Sequence, residues 1–355
     1  SWLSNQQISK RELTSTGSVL GKTQLSKMSE AKIIDGKKTA ATIRGEVKEA
    51  VDELKKSQNT VPGLATVLVG SRRDSATYVR FKKKAAKEVG FHSVDVTLPD
   101  TVSQEDLIKE VKKLAEDKSV HGILVQLPLP KHIDEAIVLA AIPDDKDVDG
   151  FSASNIGNLC LKGGIPPLAI PCTPAGCVEL IQRHQIDTKG KTAVVLGRSN
   201  IVGMPMAHLL NSMDATVTVC HSRTPNIADH VKRADILVAA IGKAEFVKGE
   251  WLKPGAVVID VGINSVDDAT KKRGYRLVGD CHFESCKKVA SWITPVPGGV
   301  GPMTIAMLLR NTVGLARHHL GLPRQPLRAS RSFKDVRDAQ DTQKKVEGDS
   351  EKKDK

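Results

Sequence analysis

Long apolar runs, paired cysteines and aromatic residues are scarce in this chain. No stretch reaches the roughly 18 consecutive apolar residues of a membrane-spanning helix, so we predict no membrane partner. None of the six cysteines lies in a Cys-x-x-Cys pair or beside a histidine at zinc-ligand spacing, which favours reduced thiols over a metal site. Aromatic residues form 3% of the chain and no nucleic-acid-binding motif occurs, so the net charge of +12 does not predict a nucleic-acid partner.

The two ends of the chain differ in composition from its middle. Residues 1–30 are rich in serine and threonine and poor in acids, as the remnant of an organelle transit peptide would be; a disordered arm is the alternative. Residues 323–355 mix charges with almost no apolar side chains and are predicted to be disordered. The compartment stays open: a mitochondrion or plastid if the arm is a transit remnant, otherwise the cytoplasm.

Apolar strands alternate with amphipathic helices through the middle of the chain. Alternation at this spacing predicts parallel strands joined by right-handed helical crossovers. The predicted helices cover 39–56, 75–89, 303–321 and segments that start at 103, at 173 and after 202. The predicted strands cover 64–70, 92–99, 121–130, 191–197, 215–221, 234–242, 256–263 and 277–283.

A glycine- and proline-rich stretch at 149–174 interrupts this alternation and is interpreted as the domain boundary. The predicted fold class is α/β with two domains and an active-site cleft between them. An N-terminal α/β domain with a parallel sheet covers 31–150 and is completed by the helix 303–320. A C-terminal Rossmann-like domain that binds a dinucleotide covers 151–302.

The segment "VVLGRSNIVGMP" is the predicted phosphate turn of the second domain. It places Gly197 and Ser199 between a strand and a helix, where backbone N–H groups can face a pyrophosphate. Alone it is weak evidence, because it lacks Gly-x-Gly-x-x-Gly and glycines also end strands for steric reasons. The next strand ends in Ser222 and Arg223 instead of an acid, and Arg198 supplies a second cation. The alternative is that Arg198 and Arg223 are merely exposed loop residues. Their positions at the two turns where the cofactor is expected favour NADP.

Several polar side chains of the first domain are candidates for chemistry. Tyr78 and Lys82 are four residues apart and so lie on one face of the predicted helix. Gln126 follows a buried apolar run at the carboxyl end of the sheet, where active sites commonly lie. An uncharged amide beside Lys82 suits a catalytic amine that must be partly neutral. The alternative is that Lys82 belongs to a solvated surface run of three lysines. Asp147 and Asp149 are expected at the cleft rim, without a third acid or histidine at metal-binding spacing.

Seven segments of the chain occur together in one known family. They are Tyr78-Val79-x-x-Lys82, "VQLPLP", "KDVDG", "PCTP", "GRSNIVGMP", "HSRT" and "TPVPGGVGPMT", and the match as a whole covers about residues 32–320. The order and approximate spacing of these segments resemble those of the bifunctional methylenetetrahydrofolate dehydrogenase/cyclohydrolase family. The resemblance implies oxidation of 5,10-methylenetetrahydrofolate to the 5,10-methenyl compound with NADP, followed by hydrolysis to 10-formyltetrahydrofolate. It also implies tetrahydrofolate derivatives as ligands and a homodimer.

The resemblance assigns roles to individual residues. It implies that Lys82 is the acid/base of the hydrolysis, helped by Gln126, while Tyr78 packs on the folate and Asp149 binds the pterin. A cationic substrate beside Lys82 is expected to lower the pKa of its amine. The predicted catalytic residues are Lys82, Gln126 and Tyr78. The predicted substrate-binding residues are Tyr78, Leu127, Pro128, Asp149, Pro297, Gly298 and Gly301; the predicted cofactor-binding residues are Gly197, Arg198, Ser199, Ser222, Arg223 and Ile263.

The loop "TPVPGGVGPMT" is interpreted as a pocket wall. It follows the last predicted strand, and its prolines remove N–H donors that a phosphate would require. Its glycines allow the backbone to approach a flat ligand closely. A purely structural crossover is the alternative.

Two other functions compete with this interpretation. A two-domain NADP-dependent dehydrogenase of shikimate-like acids would share the architecture, but not the pair Tyr78 and Lys82 together with "VQLPLP". A non-catalytic folate-binding protein would share the fold, but the presence of Lys82, Gln126 and Asp149 argues against it. Hydrolysis of the methenyl compound, followed by its near-ultraviolet absorbance, separates these possibilities.

Overall fold

Two parallel sheets organise the protein. The structure is a computed structural model that describes residues 30–323 apart from Lys162 and Lys272. Within that range no helix has the length and apolar character required to cross a bilayer. The alternation of apolar strands and amphipathic helices therefore produces the predicted α/β class with two sheets, which is confirmed.

The first sheet has three parallel strands in the order β3-β2-β4. Its central strand, β2, is buried along its whole length, as expected for a strand with neighbours on both sides. The elements of this half are β2 (Gly63–Val69), β3 (His92–Leu98), β4 (Gly122–Val125), α1 (Gly36–Gln58), α2 (Arg73–Glu88), α3 (Gln104–Glu116), α4 (Glu135–Ala140) and a 3₁₀ helix at Asp144–Lys146.

The second sheet has six parallel strands in the order β1-β11-β8-β7-β5-β6. Its strands are β1 (Lys32–Ile33), β5 (Thr192–Leu196), β6 (Thr216–Cys220), β7 (Ile236–Ala239), β8 (Val257–Asp260) and β11 (Trp292–Ile293). Its other elements are α5 (Ala153–Cys160), α6 (Cys172–Arg183), α7 (Gly203–Ser212), α8 (Ile227–Val231), α9 (Phe283–Lys287), α10 (Val300–His319), a 3₁₀ helix at Gly249–Trp251 and the antiparallel hairpin β9 (Asn264–Asp267) and β10 (Tyr275–Val278).

Side-chain caps and apolar spacing explain the main helices. Asp35 accepts the N–H of Lys38 at 3.0 Å at the start of α1, and Ser103 accepts the N–H of Asp106 at 3.1 Å at the start of α3. Helix α1 buries apolar residues three or four positions apart against α6 and α10. One continuous core therefore includes side chains from both halves of the molecule.

An ionic network centred on the buried Glu179 joins the three packed helices. The Arg183 guanidinium on α6 donates to both carboxylate oxygens of Glu46 on α1, at 2.9 and 2.8 Å. Its Nε donates to Glu179 at 2.8 Å, and Arg310 on α10 donates to the same carboxylate at 2.6 Å. Glu179 is fully buried, so these two cations compensate the loss of its hydration.

Several predicted segments differ from the observed ones. The strand predicted at 121–130 ends at Val125, because the prolines that follow cannot donate to the ladder. The stretch 149–174 contains the short helix α5. Of the strand predicted at 277–283, only residues 277 and 278 belong to a named strand, as the end of β10, which pairs with β9 outside the main sheet; α9 begins at Phe283. The two-residue strands β1 and β11 are too short to be recognised by apolar periodicity.

Candidate active site

A cavity of about 640 Å³ lies between the two sheets. Helices α1 and α2 form one wall, and the turns after β8 and β11 form the other. Five residues of the predicted site line this cavity: Tyr78, Ile263, Pro297, Gly298 and Gly301. The exposed Phe81, which the sequence did not single out, adds a second aromatic ring from α2.

The wall after β11 depends on unusual backbone geometry. Gly298 has φ +113°, in the region where glycine is favoured, and its carbonyl accepts the N–H of Lys37 at 3.1 Å. The Val296–Pro297 peptide bond is cis. Helix α10 begins at Val300, inside the segment predicted as a loop. Backbone and proline surfaces therefore form this face of the cavity.

Lys82 and Gln126 meet one turn of α2 beyond Tyr78, and neither they nor Asp149 line the cavity described above. Lys82 projects from α2, which follows β2, and Gln126 directly follows β4, the neighbouring strand. The Lys82 Nζ donates to Gln126 Oε1 at 3.0 Å, and Gln126 Nε2 donates to the carbonyl of Leu127 at 2.7 Å. The amide is thus fixed with its neutral oxygen toward the amine. Leu127 and Pro128, joined by a cis peptide bond, continue this loop; neither lines the cavity described above.

Asp149 is a half-buried carboxyl with a raised pKa. Burial raises the pKa of Asp149 to about 6, the positive charge of Lys82 opposes the shift, and the charge of Asp147 adds to it. The thiol of Cys172 lies 3.9 Å from Asp149 Oδ1. Burial, followed by the charge of Asp149, raises the pKa of that thiol, so Cys172 is a neutral neighbour.

Asp147 does not lie at the cleft rim, and that expectation was wrong. It is buried and accepts the N–H groups of Gly150 at 2.9 Å and Ser152 at 2.8 Å, as well as the Asn155 amide at 3.1 Å. These bonds stabilise the turn from the first domain into α5. The three donors account for the burial of this carboxylate and indicate a structural role.

Asn311 on α10 positions the segments that carry Asp149 and Cys172. Its Nδ2 donates to the carbonyl of Val148 at 2.8 Å and to that of Ile170 at 2.9 Å. The sequence analysis did not identify Asn311. A buried asparagine within an apolar helix is the signal that would have found it, because such an amide requires partners.

The turn after β5 has the geometry of a phosphate turn. Gly197 has φ +109°, and a Cβ there would overlap the carbonyl oxygen of Ala240. The Ser199 Oγ accepts the N–H groups of Val202 at 3.2 Å and Gly203 at 3.3 Å at the start of α7. Ser199 thus shapes the turn, while the Arg198 side chain is exposed beside it.

The residues after β6 fit a 2′-phosphate. Ser222 and Arg223 are exposed, and no acid follows the strand, which continues from Cys220 into His221. Strands β5 and β6 are adjacent and parallel, so Arg198 and Arg223 follow the same edge of the sheet. A hydroxyl and two guanidinium groups suit a phosphate, whereas a carboxylate would repel it. The residues present therefore fit NADP.

Comparison with known proteins decides the family. Residues 34–149 match the family model for the tetrahydrofolate dehydrogenase/cyclohydrolase catalytic domain, and residues 171–320 match that for its NAD(P)-binding domain. This chain belongs to the tetrahydrofolate dehydrogenase/cyclohydrolase family. The resemblance of the seven segments is thereby confirmed, and the second domain is the NAD(P)-binding domain of this family.

Similar proteins support this membership. Bifunctional protein FolD 2 of Arabidopsis thaliana is 58% identical over 82% of this chain and 97% of its own length. Bifunctional protein FolD 4, chloroplastic, of the same plant is 56% identical over 80% of this chain and 79% of its own length. The crystal structure of Trypanosoma brucei methylenetetrahydrofolate dehydrogenase-cyclohydrolase with NADP cofactor and inhibitor has a TM-score of 0.80 at 47% identity, over 82% of this chain and 99% of that one.

Proposed function

We infer that this chain carries out two successive reactions on one tetrahydrofolate derivative in the cleft. It oxidises 5,10-methylenetetrahydrofolate to 5,10-methenyltetrahydrofolate with NADP, and then hydrolyses the product to 10-formyltetrahydrofolate. The observation that carries this function is the bond between Lys82 and Gln126, one helical turn from Tyr78 in the cavity wall, in a chain of which both halves match the family.

The first reaction requires alignment of two flat groups. NADP, which the turns after β5 and β6 would hold, would supply the acceptor for the hydride of the one-carbon bridge. Tyr78 and Pro297 offer flat faces on opposite walls of the cavity, and Ile263 adds an apolar surface next to the nucleotide turns. These residues orient the folate and exclude water, which is the main contribution that a protein makes to hydride transfer.

The second reaction requires a proton acceptor for water. We propose that the neutral amine of Lys82 removes one proton as the water oxygen bonds to the methenyl carbon. The resulting hydroxyl then loses its proton while N5 gains one, and the bond between carbon and N5 breaks to give the N10 formyl group. One proton is released overall, so charge and atoms balance. Gln126 orients the amine, and ionised Asp149 faces the cationic pterin system.

The test is to assay the purified chain for both reactions. Reduction of NADP in the presence of methylenetetrahydrofolate reports the first, and loss of the near-ultraviolet absorbance of methenyltetrahydrofolate reports the second. Activity in both assays is expected. Reduction of NADP with a shikimate-like acid but not with the folate would support the competing dehydrogenase, and folate binding without either activity would support a non-catalytic protein.

The edge of the six-stranded sheet supports the proposed homodimer. Among the described strands β6 has β5 as its sole neighbour, so one side of its backbone is available to pair with a second copy. The half-buried Val217 and Val219 lie on this edge strand. Sedimentation at micromolar concentration is expected to give twice the chain mass of 38.3 kDa. A single species at the chain mass would exclude the dimer.

The compartment is tested separately. Residues 1–29, which hold almost all of the predicted transit remnant, lie outside the described residues. If this arm is a transit remnant, a fluorescent fusion that begins with residue 1 enters an organelle and one that begins with residue 31 stays in the cytoplasm. Equal distribution of the two fusions would support the alternative of a disordered arm.

A further inference from the structure

Two buried aspartates lie where three turns of the six-stranded sheet converge. Asp260 is 4% exposed and ends β8, and Asp280 is fully buried between β10 and α9. Neither residue takes part in the two reactions described above. Isolated buried carboxylates are costly unless hydrogen bonds compensate their lost hydration, so the partners of these two carboxylates indicate their purpose.

Asp280 accepts hydrogen bonds from the turn that follows β7. Its Oδ2 accepts the N–H of Ile241 at 2.7 Å and that of Gly242 at 3.1 Å. Its Oδ1 accepts the N–H of Lys243 at 2.9 Å and the side-chain amide of Asn264 at 2.9 Å. Four donors occupy both oxygens, and three of them are consecutive backbone groups. The carboxylate therefore determines the conformation of residues 241–243.

Asp260 holds the backbone that carries Asp280. Its Oδ1 accepts the N–H of Asp280 at 2.9 Å and that of Gly262 at 3.1 Å, and its Oδ2 accepts the N–H of Cys281 at 2.8 Å. The Asp260 N–H in turn donates to the Thr294 hydroxyl at 2.7 Å. Asp260 thus connects the turn after β8 with the segment on which Asp280 stands.

Each carboxylate packs against a glycine beside the other. A Cβ on Gly262 would overlap the Asp280 carboxylate, and a Cβ on Gly279 would overlap the Asp260 carboxylate. This reciprocal packing leaves no room for either side chain to move. The two aspartates and two glycines form one rigid junction.

The junction lies between the two ligand sites. Strand β7 neighbours β5, and the strand order reverses at this point, which is where doubly wound sheets bind nucleotides. Gly197 of the phosphate turn packs on Ala240, the residue before the turn that Asp280 holds. On the other side, the turn after β8 places Ile263 in the cavity with Tyr78.

We propose that Asp280, held in place by Asp260, is a positioning residue for the nicotinamide half of NADP. Asp280 accepts the backbone N–H groups of residues 241–243. It thereby fixes the position of this wall of the nucleotide crevice relative to the folate cavity. This inference rests on the proposed function. Asp280 is not a catalytic residue, because it is buried behind the turn that it holds.

The test variant is Asp280→Asn, which keeps the side-chain shape but replaces one acceptor oxygen by an NH₂ group that faces backbone donors. We expect the Kd for NADP, measured by isothermal titration calorimetry, to rise tenfold or more. The dehydrogenase kcat/KM should fall by at least the same factor. The cyclohydrolase, which uses Lys82 and Gln126 at the other sheet and consumes no NADP, should stay within twofold.

Two further variants make the test decisive. Asp267→Asn changes an exposed acid in the hairpin β9–β10, which precedes Asp280, and should leave both activities and the Kd within twofold. Asn264→Ala removes one donor from Asp280 and should raise the Kd for NADP two- to fivefold. If Asp280→Asn does not fold, Asn264→Ala decides the question by the same measurements.

An unchanged Kd for NADP in the folded variant overturns the proposal. Equal losses of the dehydrogenase and the cyclohydrolase also overturn it, because they indicate a general structural role. Wild-type protein that binds NADP without either activity would refute the proposed function instead, and the calorimetric comparison would still test the role of Asp280.

Discussion

The amine of Lys82 and the amide oxygen of Gln126 are 3.0 Å apart, although 44 positions separate the two residues in the chain. An amide orients the amine without fixing its proton as strongly as a carboxylate would. We expect Gln126→Glu to pair with the Lys82 ammonium group and so to deplete the neutral amine that acts as the base. The pH profile of the cyclohydrolase should move to higher pH, with at least a tenfold lower rate at pH 7. An unshifted profile would remove Gln126 from the tuning of the amine.

Lys82→Ala tests the amine itself. General base catalysis contributes about a hundredfold or more, so the cyclohydrolase should fall by at least that factor while folate binding persists. The dehydrogenase depends mainly on alignment and should be less affected. Lys83→Ala is the matched control, since Lys83 pairs with Asp95 at 3.2 Å and should retain both activities. Normal hydrolysis by Lys82→Ala would exclude Lys82 from the mechanism.

Arg223→Ala tests the selection of NADP over NAD. A charge-assisted bond to phosphate contributes about 1.5–3 kcal/mol, so the KM for NADP should rise about tenfold or more. The KM for NAD should stay within twofold, because NAD lacks the phosphate. Arg233→Ala, which removes an exposed cation elsewhere in the same domain, should leave both values unchanged. Equal weakening of the two cofactors would contradict the assignment of the 2′-phosphate to Arg223.

Asp149 predicts a pH-dependent affinity for the cationic methenyl compound. Because burial raises the pKa of Asp149 to about 6, its ionised fraction falls about tenfold between pH 7 and pH 5. The KM for methenyltetrahydrofolate should rise by a similar factor as the pH falls through that range. Asp149→Asn should have a high KM at both pH values. A wild-type KM that is independent of pH would refute this role.

His121 predicts a loss of stability in acid. Burial, assisted by the charge of His319, lowers the pKa of His121 from 6.5 to about 4, so the folded protein does not bind this proton at pH 5. The unfolded chain does bind it, and stability is therefore lost as pH falls from about 6.5 toward about 4. His121→Asn keeps an acceptor for the Gly63 N–H, which lies 2.9 Å from His121 Nδ1.

Urea unfolding at pH 7 and pH 5 measures this effect. The free energy of unfolding of the wild type should fall by about 2 kcal/mol more than that of His121→Asn. His132→Asn, at an exposed position, should behave as the wild type. Identical losses in wild type and His121→Asn would show that other groups control the acid response.

Apolar periodicity predicted those strands and helices whose structure depends mainly on residues close together in the chain. Long strands such as β2 and long helices such as α1 follow from apolar periodicity, and the position of Gln126 follows from its place after a buried strand. The partners of Asn311 and Asp280 could not be predicted, because they depend on contacts between segments far apart in the chain. A carboxylate that stabilises a turn and one that faces a ligand are identical in sequence, and only the surrounding donors distinguish them. The roles of the individual cleft residues stay predictions.

The six-stranded sheet contains residues from the beginning of the described chain, since β1 pairs with β11. The next element, α1, packs Gly36 so closely on Gly299 that a methyl group would not fit between them. Helix α10, from the far end, lies against α1. Each half of the molecule is thus completed by a segment encoded with the other half. Splitting the chain between residues 149 and 171 would therefore yield two incomplete pieces. An exchange of either half with a homologue would have to keep the strand β1 together with the second sheet.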